Sequence, residues 1–380
     1  QKYFEKHAWG NTTLEDLLVE LEASSGRKLD SWVNTWLQTA GVNTLRPALE
    51  IEGDVYKSIT ITQETPLVPA DSKELRPHRL AVGLYDIKGD SLQLRKSVEL
   101  DVAGAATVVA DLAGEKVADL LLINDRDLSY AKLRFDDRSI ATLKTHLGKF
   151  DDALARALCW ASIWDMHRDA EISTSDFIEI ALNGLAGETD DAIVNIVLMQ
   201  LNTSVEAYAK DSNRAAYREK LANGLWTLTQ SSAPGSDLQL LISRSFAINA
   251  HTPEQTAKIR ELLNGSAPGL KVDTDLRWYL FLCGVKRGIY GPTEIAAEGE
   301  RDKTAHGKQY VAFAHAAIPN REAKAAAFKS VTTDDLSNTI HSYKCRGFNE
   351  SIHGDLLEGF VDEYFDAILK VWNTKGFEIA

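Results

Sequence analysis

LLLINDRDLSYAKLRFDD, residues 120–137, divides the chain into two patterns. Before this stretch apolar residues tend to alternate with polar ones, the period of a half-buried strand. After it they recur every three or four residues, the period of a helix face. The stretch therefore marks a seam between a β-region and an all-helical region. Its own order is an apolar strand, Asn124-Asp125, a short gap, Tyr130, and a second strand ending in Arg134-Phe135-Asp136.

At 380 residues the chain exceeds one ordinary core, and two or three domains are expected. It is 44% hydrophobic and 26% charged, a globular composition, and no apolar run nears the roughly 20 residues that span a bilayer. The formal net charge of -13 argues against nucleic-acid binding, which needs a basic face to displace counterions from phosphates. The three cysteines, Cys159, Cys283 and Cys345, are too far apart for a C-x-x-C motif. They read as buried free thiols, and an odd count without a framework favours a reducing, cytoplasmic setting.

Residues 1–45 read as helical. Thr12 and Glu15 have capping-box spacing, and Leu14, Leu17, Leu18 and Leu21 then line one face. Gly26 is placed to stop that helix in a left-handed conformation. A second helix is expected from Asp30, as N-cap, through Val33, Trp36 and Leu37 to Gly41. Two such short helices cannot bury their faces alone, so they read as the tail of a larger helical domain.

Residues 46–136 carry strand rows at Leu49/Ile51, Ile59/Ile61, Leu80/Val82/Leu84, Leu92/Leu94 and Val98/Leu100/Val102. Gly53-Asp54 and Gly89-Asp90 are expected hairpin turns, and Pro66, Pro69 and Pro77 mark a longer loop. A small β-sandwich is the expected architecture. Residues 137–380 read as helical throughout. One helix is expected over 151–168, with Leu154, Ala157, Leu158 and Ala161 on its face. Thr252-Pro253 followed by Gln255 combines an N-cap, a first-turn proline and a capping-box partner, and Asn264-Gly265 ends that helix. Further helices are expected near 274–287, 302–317, 321–331, 334–346 and 355–373. Short linkers between many short helices suggest a HEAT/armadillo-like superhelical domain. The fold class is thus multidomain α+β: a short helical tail (1–45), a β-sandwich (46–136) and a large α-domain (137–380).

No catalytic motif emerges. There is no H-E-x-x-H, no G-x-S-x-G, no Walker loop and no G-x-G-x-x-G. His306 and His315 are nine apart without a glutamate at the right place, and His341 and His353 are farther apart still. The acidic pairs Asp151-Asp152, Asp190-Asp191 and Asp334-Asp335 stand near expected helix starts, where the helix dipole accounts for them. Trp160, Trp164, Trp226, Trp278 and Trp372 read as helix-packing residues. No residue is assigned a catalytic or metal-binding role.

The seam resembles that of zinc aminopeptidases of the aminopeptidase N family. YFEKHAWGNTTLEDLL (3–18) and LDSWVNTWLQTAGV (29–42) look like the end of the family's catalytic domain. TDLRWYLF (274–281), ERDKTAHG (300–307) and VWNTKGFEIA (371–380) look like the helical domain of actinobacterial members. The resemblance implies a C-terminal portion of an enzyme that removes N-terminal residues from peptides. In such an enzyme a zinc-bound water, activated by the H-E-x-x-H glutamate, attacks the first peptide bond. The helical domain forms a bowl over that site and limits peptide entry. Zinc would belong to the parent enzyme, and none is expected in this portion. It lacks both H-E-x-x-H and the family's G-x-M-E-N, so it is expected to be inactive alone.

The expected partners are peptide substrates and the preceding N-terminal and catalytic domains of the same polypeptide, with no nucleic acid and no membrane. Basic groups near helix ends, Arg277, Lys286, Arg287, Lys344 and Arg346, are the candidates for meeting a peptide carboxylate, against the simpler reading of each as a solvated or ion-paired surface charge. The alternative is a free-standing HEAT-like scaffold for a protein or peptide partner. The unfinished helices at 1–45 count against it.

Overall fold

A computed structural model describes residues 1–377 and 379. The closing residues Glu378 and Ala380 of the phrase VWNTKGFEIA lie outside them. The described chain is mostly helical with small sheets, and it divides into two compact units, Gln1–Gly187 and Glu188–Ala380.

The first unit opens with three helices, α1 (Lys2–Lys6), α2 (Leu14–Ser25) and α3 (Asp30–Leu37). The capping box sits one residue later than the spacing of Thr12 and Glu15 suggests. Thr13 and Asp16 form it, while the Thr12 hydroxyl pairs with that of Tyr3 at 2.7 Å. Gly26 does end α2 with a left-handed φ of 68°. Asp30 is not an N-cap. It is the first helical residue, and the Leu29 N–H is met instead by the Glu22 carboxylate at 2.8 Å. The apolar face of α2 is present but uncovered, with Leu14, Leu17 and Leu21 all exposed.

Seven strands follow: β1 (Thr44–Glu52), β2 (Val55–Glu64), β3 (His78–Lys88), β4 (Ser91–Val102), β5 (Ala106–Val108), β6 (Leu120–Ile123) and β7 (Lys132–Leu133). They form two sheets, ordered β5-β2-β1-β7 and β4-β3-β6. Gly53 and Gly89 make the two expected hairpin turns, both with positive φ. The rows at Leu92/Leu94 and Val98/Leu100/Val102 belong to the single strand β4, with a bulge opposite Leu84/Tyr85 shifting the alternation. Leu45, Ile59 and Ile61 from one sheet and Leu80, Val82, Leu84, Leu121 and Ile123 from the other enter one core.

Strand β6 is buried at all four residues, which explains its unbroken apolar run. Its odd residues enter the core, and α4 (Asp137–His146) packs against the strand. The Ser139 hydroxyl accepts the Leu121 N–H at 3.0 Å, and the Thr142 hydroxyl donates to the Asp119 carbonyl at 2.7 Å. Helix α5 (Ala153–Arg168) follows, then α6 (Thr174–Leu185). The expected face of α5 is wrong in phase. Leu154 and Ala161 are exposed, while Ala155, Cys159, Trp160, Ile163 and Met166 are buried. Both stripes are apolar at helical spacing, so periodicity alone does not choose between them.

The second unit is helical: α7 (Asp191–Thr203), α8 (Asp211–Ser231), α9 (Asp237–Asn249), α10 (Pro253–Leu263), α11 (Thr274–Lys286), α12 (Pro292–Arg301), α13 (Ala305–Ala317), α14 (Arg321–Thr333), α15 (Asn338–Phe348), α16 (Gly354–Leu357) and α17 (Val361–Thr374). Thr252, Pro253 and Gln255 start α10 as expected, and Asn264 ends it. Asp152 and Asp190 cap α5 and α7, each accepting two backbone N–H groups. Asp334 does not start a helix. It ends α14 and accepts the Ser330 hydroxyl at 2.6 Å, while Ser337 caps α15. Trp160 and Trp278 are core residues, but Trp372 is exposed on α17.

The packing alternates. Helices α7, α9, α11, α13 and α15 touch in succession, and α8, α10, α12 and α14 each back the helix that follows. Helix α15 lies close enough to α13 that a Cβ on Gly347 would come 2.3 Å from the Phe313 carbonyl. The buried Lys324 closes this contact. Its ammonium donates to the carbonyls of Ala316, Gly347 and Phe348, all at 2.9 Å, at the ends of α13 and α15.

Two outcomes follow from buried groups. His78 joins the two sheets to the seam: Nε2 meets Gln63 Oε1 at 2.7 Å and Nδ1 meets Ser129 Oγ at 2.6 Å. Burial, with Arg76 nearby, lowers its pKa to about 4, so the folded state holds it neutral. Its contribution is complete above the unfolded pKa of about 6.5 and is lost as pH falls toward the folded value. Denaturant unfolding of the first unit should lose about 2 kcal/mol from this group between about pH 7 and about pH 5. His78→Gln should remove that part of the pH dependence, and an unchanged slope would contradict the assignment. In the second unit, Lys324→Met leaves three buried carbonyls without a donor and should lower stability by about 3 kcal/mol, read as a fall in thermal midpoint.

Candidate functional site

The alternation of helices brings one stripe from each of α9, α11, α13 and α15 to a common cavity of about 370 Å³. On α11 the stripe is Asp275, Tyr279, Leu282 and Lys286, spaced by three and four residues as one face requires. The opposite face is anchored by Trp278, fully buried, whose indole N–H donates to Asp302 at 2.8 Å. Asp273 caps the helix by accepting the Leu276 N–H at 2.9 Å. Helix α13 presents His306, Tyr310 and Phe313, and its start is capped by the Thr304 hydroxyl on the Gly307 N–H at 3.1 Å. Helix α15 adds Tyr343 and Arg346, and α9 adds Arg244 and Ile248.

Two guanidiniums sit on rings of this cavity. Arg244 lies 5.0 Å from the Tyr279 centroid and Arg346 lies 5.2 Å from that of Tyr343. The Tyr310 ring meets Tyr343 edge-on at 5.8 Å. Burial keeps the hydroxyls of Tyr279 and Tyr310 protonated above the usual phenol range. An arrangement of cations and ring walls receives anions and aromatic groups.

The five cations singled out from the sequence fall into different settings. Lys286 and Arg346 share this cavity. Lys286 also lines a neighbouring cavity of about 550 Å³ with Arg287 and His353. There His353 Nε2 meets the Lys286 carbonyl at 2.7 Å, and burial lowers the His353 pKa. Lys286 is ion-paired with Glu350 at 2.8 Å. The Arg287 guanidinium is committed to the carbonyls of Ile248, Ala250 and Cys283. Lys344 lines a third cavity and donates to the Ser330 hydroxyl at 2.5 Å. Arg277 makes a two-pronged contact with the buried Glu298, at 2.5 and 2.7 Å. Arg244, Tyr279, Tyr310 and Tyr343 escaped the sequence reading. The i, i+4 spacing of Asp275/Tyr279 and His306/Tyr310 is visible in the sequence, but which helices face one another is not.

The histidines are not gathered for a metal. His306 lies beside Tyr310, His315 faces the cavity that Lys344 lines, and His341 Nε2 meets the Val331 carbonyl at 3.0 Å. Among the described residues no three His, Cys, Asp or Glu side chains are placed to hold a metal ion, so the residues present do not fit zinc. Among them, too, no helix is long and apolar enough to cross a membrane.

Residues 120–380 match the family model described as ERAP1-like C-terminal domain. Aminopeptidase N of Streptomyces lividans is 43% identical over the whole of this chain, which covers 45% of that protein. The chain thus spans about half the length of the curated relative it matches. The match begins at Leu120, the first residue of the seam, and runs through every helix that lines the cavity. By this match the chain belongs to the family of ERAP1-like C-terminal domains.

Proposed function

We propose that this chain is the C-terminal portion of a zinc-dependent aminopeptidase, a cytoplasmic hydrolase that removes N-terminal residues from peptides. Residues 1–45 are the last helices of its catalytic domain, 46–136 a β-sandwich spacer and 137–380 a HEAT/armadillo-like domain that caps the active site and limits peptide access. The observation that carries this reading is the uncovered apolar surface of α1–α3. Phe4 and Trp9 are 74% and 106% exposed, and Leu14, Leu17, Leu21, Trp32 and Leu37 join them. So much exposed apolar surface on three short helices and the segment joining the first two favours a large covering body, here the catalytic domain of the same polypeptide. The likeness to an aminopeptidase N supports the same partner.

The shared core of the two sheets supports the sandwich, and the succession α7–α9–α11–α13–α15 with its backing helices supports the superhelix. The zinc that such an enzyme would use to supply an attacking water would be held by residues outside this chain. The cap's role is binding: Lys286, Arg287 and Arg346, on the faces of neighbouring cavities, are offered to the distal part of a peptide, with Lys344 at a third cavity. Arg277 and Arg287 are the weakest of the five candidates, since Glu298 occupies the first guanidinium and three backbone carbonyls occupy the second.

The purified chain, supplied with zinc, should bind no stoichiometric metal by elemental analysis and should release no product from an aminoacyl anilide. Stoichiometric zinc, or turnover that survives dialysis against a chelator, would sink the reading.

A further inference from the structure

We propose that α17 is a self-association surface, through which two copies of this chain pair antiparallel along Val361–Thr374. The inference adds an interface and its occupant. It does not depend on the capping role or on where the catalytic groups lie.

The helix is apolar on two faces and covered on one. Ala367, Ile368 and Val371 face Phe328 and Val331 of α14 and Phe348 of α15 across a cavity of about 390 Å³. Phe360, just before the helix, packs on the rings of Phe328 and Phe348, each at 5.3 Å. These contacts seat α17 on its neighbours, but they leave a second row without cover. Val361, Phe365 and Leu369 follow at four-residue spacing, with Trp372 three further on, so they share one stripe. They are 53%, 66%, 71% and 57% exposed. Tyr364 stands edge-on to Phe365 at 5.5 Å and extends the stripe. Single exposed apolar residues are ordinary, whereas a continuous row of large ones marks an interaction site.

The adjoining row of charges says what covers it. One residue on from the apolar row stand Asp362, Asp366 and Lys370, again four apart. Among the described residues none of the three is ion-paired. In an antiparallel pair each flanking row meets its own reversed copy. A row that is acidic at its start and basic at its end is therefore complementary to itself. A two-fold axis beside Ile368 sets Asp366 opposite Lys370 of the second copy, twice over, and brings Trp372 to Tyr364 and Phe365 of the second copy. A parallel pair would gather the acidic first turns of both helices, adding to the repulsion between two chains of net charge -13. The exposed parts of these side chains amount to roughly 600 Å² per copy, taking about 150–250 Å² for a whole aromatic side chain. A standard interface takes about 800 Å² per partner, so the dimer is of the weak, concentration-dependent kind.

Sedimentation velocity of the 380-residue chain between about 1 and about 200 µM tests the proposal. Monomer should give way to dimer with a midpoint on the order of 10 µM. Leu369→Ser should weaken the dimer at least about tenfold and leave the thermal midpoint of the monomer unchanged, because the side chain is exposed. Asp366→Lys and Lys370→Asp should each weaken it about tenfold, and the double variant should restore it, which a merely adhesive patch would not do. Trp9→Ser, on the uncovered surface of the first unit, should leave the dimer intact. Loss of the dimer in that variant would move the self-association to the first unit and overturn the assignment. The same run on a longer polypeptide that includes the preceding domains should keep the dimer, and a monomer there would assign the face to those domains instead. A chain monomeric throughout the range, or a double variant no better than the single ones, would also overturn the proposal.

Discussion

The buried guanidinium of Arg134 ties the sheets of the first unit to its helices. It directly follows β7, 3% exposed, and reaches both Asp169 and Glu171 in the connection between α5 and α6. Lys132 joins it on Asp169 at 2.8 Å, and Arg46 of β1 joins it on Glu171 at 2.8 Å. Burial alone would push both carboxyls up, but the hydrogen bonds and charges of these cations outweigh it and leave both below the ordinary range. Removing one member strands the others, which is where the cost of such a cluster lies. The arrangement fixes the order of parts: β1 and β7 run parallel at the sheet edge, and the helices start from a known position.

The same seam shows what a linear sequence can reveal. Asn124 and Asp127 both adopt left-handed backbone, which suits their side chains, and the Asn124 amide clasps Ser129 through two hydrogen bonds. Asp125 turns inward to accept the hydroxyls of Tyr85 and Ser97, and burial raises its pKa. The change of period was legible because it is carried by local apolar spacing on either side of the seam. The hairpin glycines, the stop at Gly26 and the start of α10 were legible for the same reason: each is decided by residues within one turn. What depends on tertiary partners was not. Two apolar stripes compete on α5, and only the neighbouring elements choose the one at Cys159 and Ile163. Trp372 has core chemistry but a solvent position, and Asp334 closes a helix where an acidic pair suggested an opening. The candidate cations show the limit most clearly, because Arg277 and Arg346 look alike in sequence and differ by whether a carboxylate is near.

The second unit uses polar burial for a different end. Lys324 holds the carbonyl ends of α13 and α15 together, and the absence of a side chain at Gly347 lets those helices approach. Tyr310 and Tyr343 ride on these two helices, so the cavity's shape follows from a structural lysine that never enters it. The packing that builds a stack of helices therefore also presets a lined recess.

The proposed function puts the chemistry in sequence preceding this chain. Reading the coding sequence upstream of the codon for Gln1 tests it directly. An open frame encoding G-x-M-E-N and then H-E-x-x-H is the predicted result. A start codon immediately before Gln1, with neither motif in frame, would contradict the account and leave a free-standing scaffold in its place.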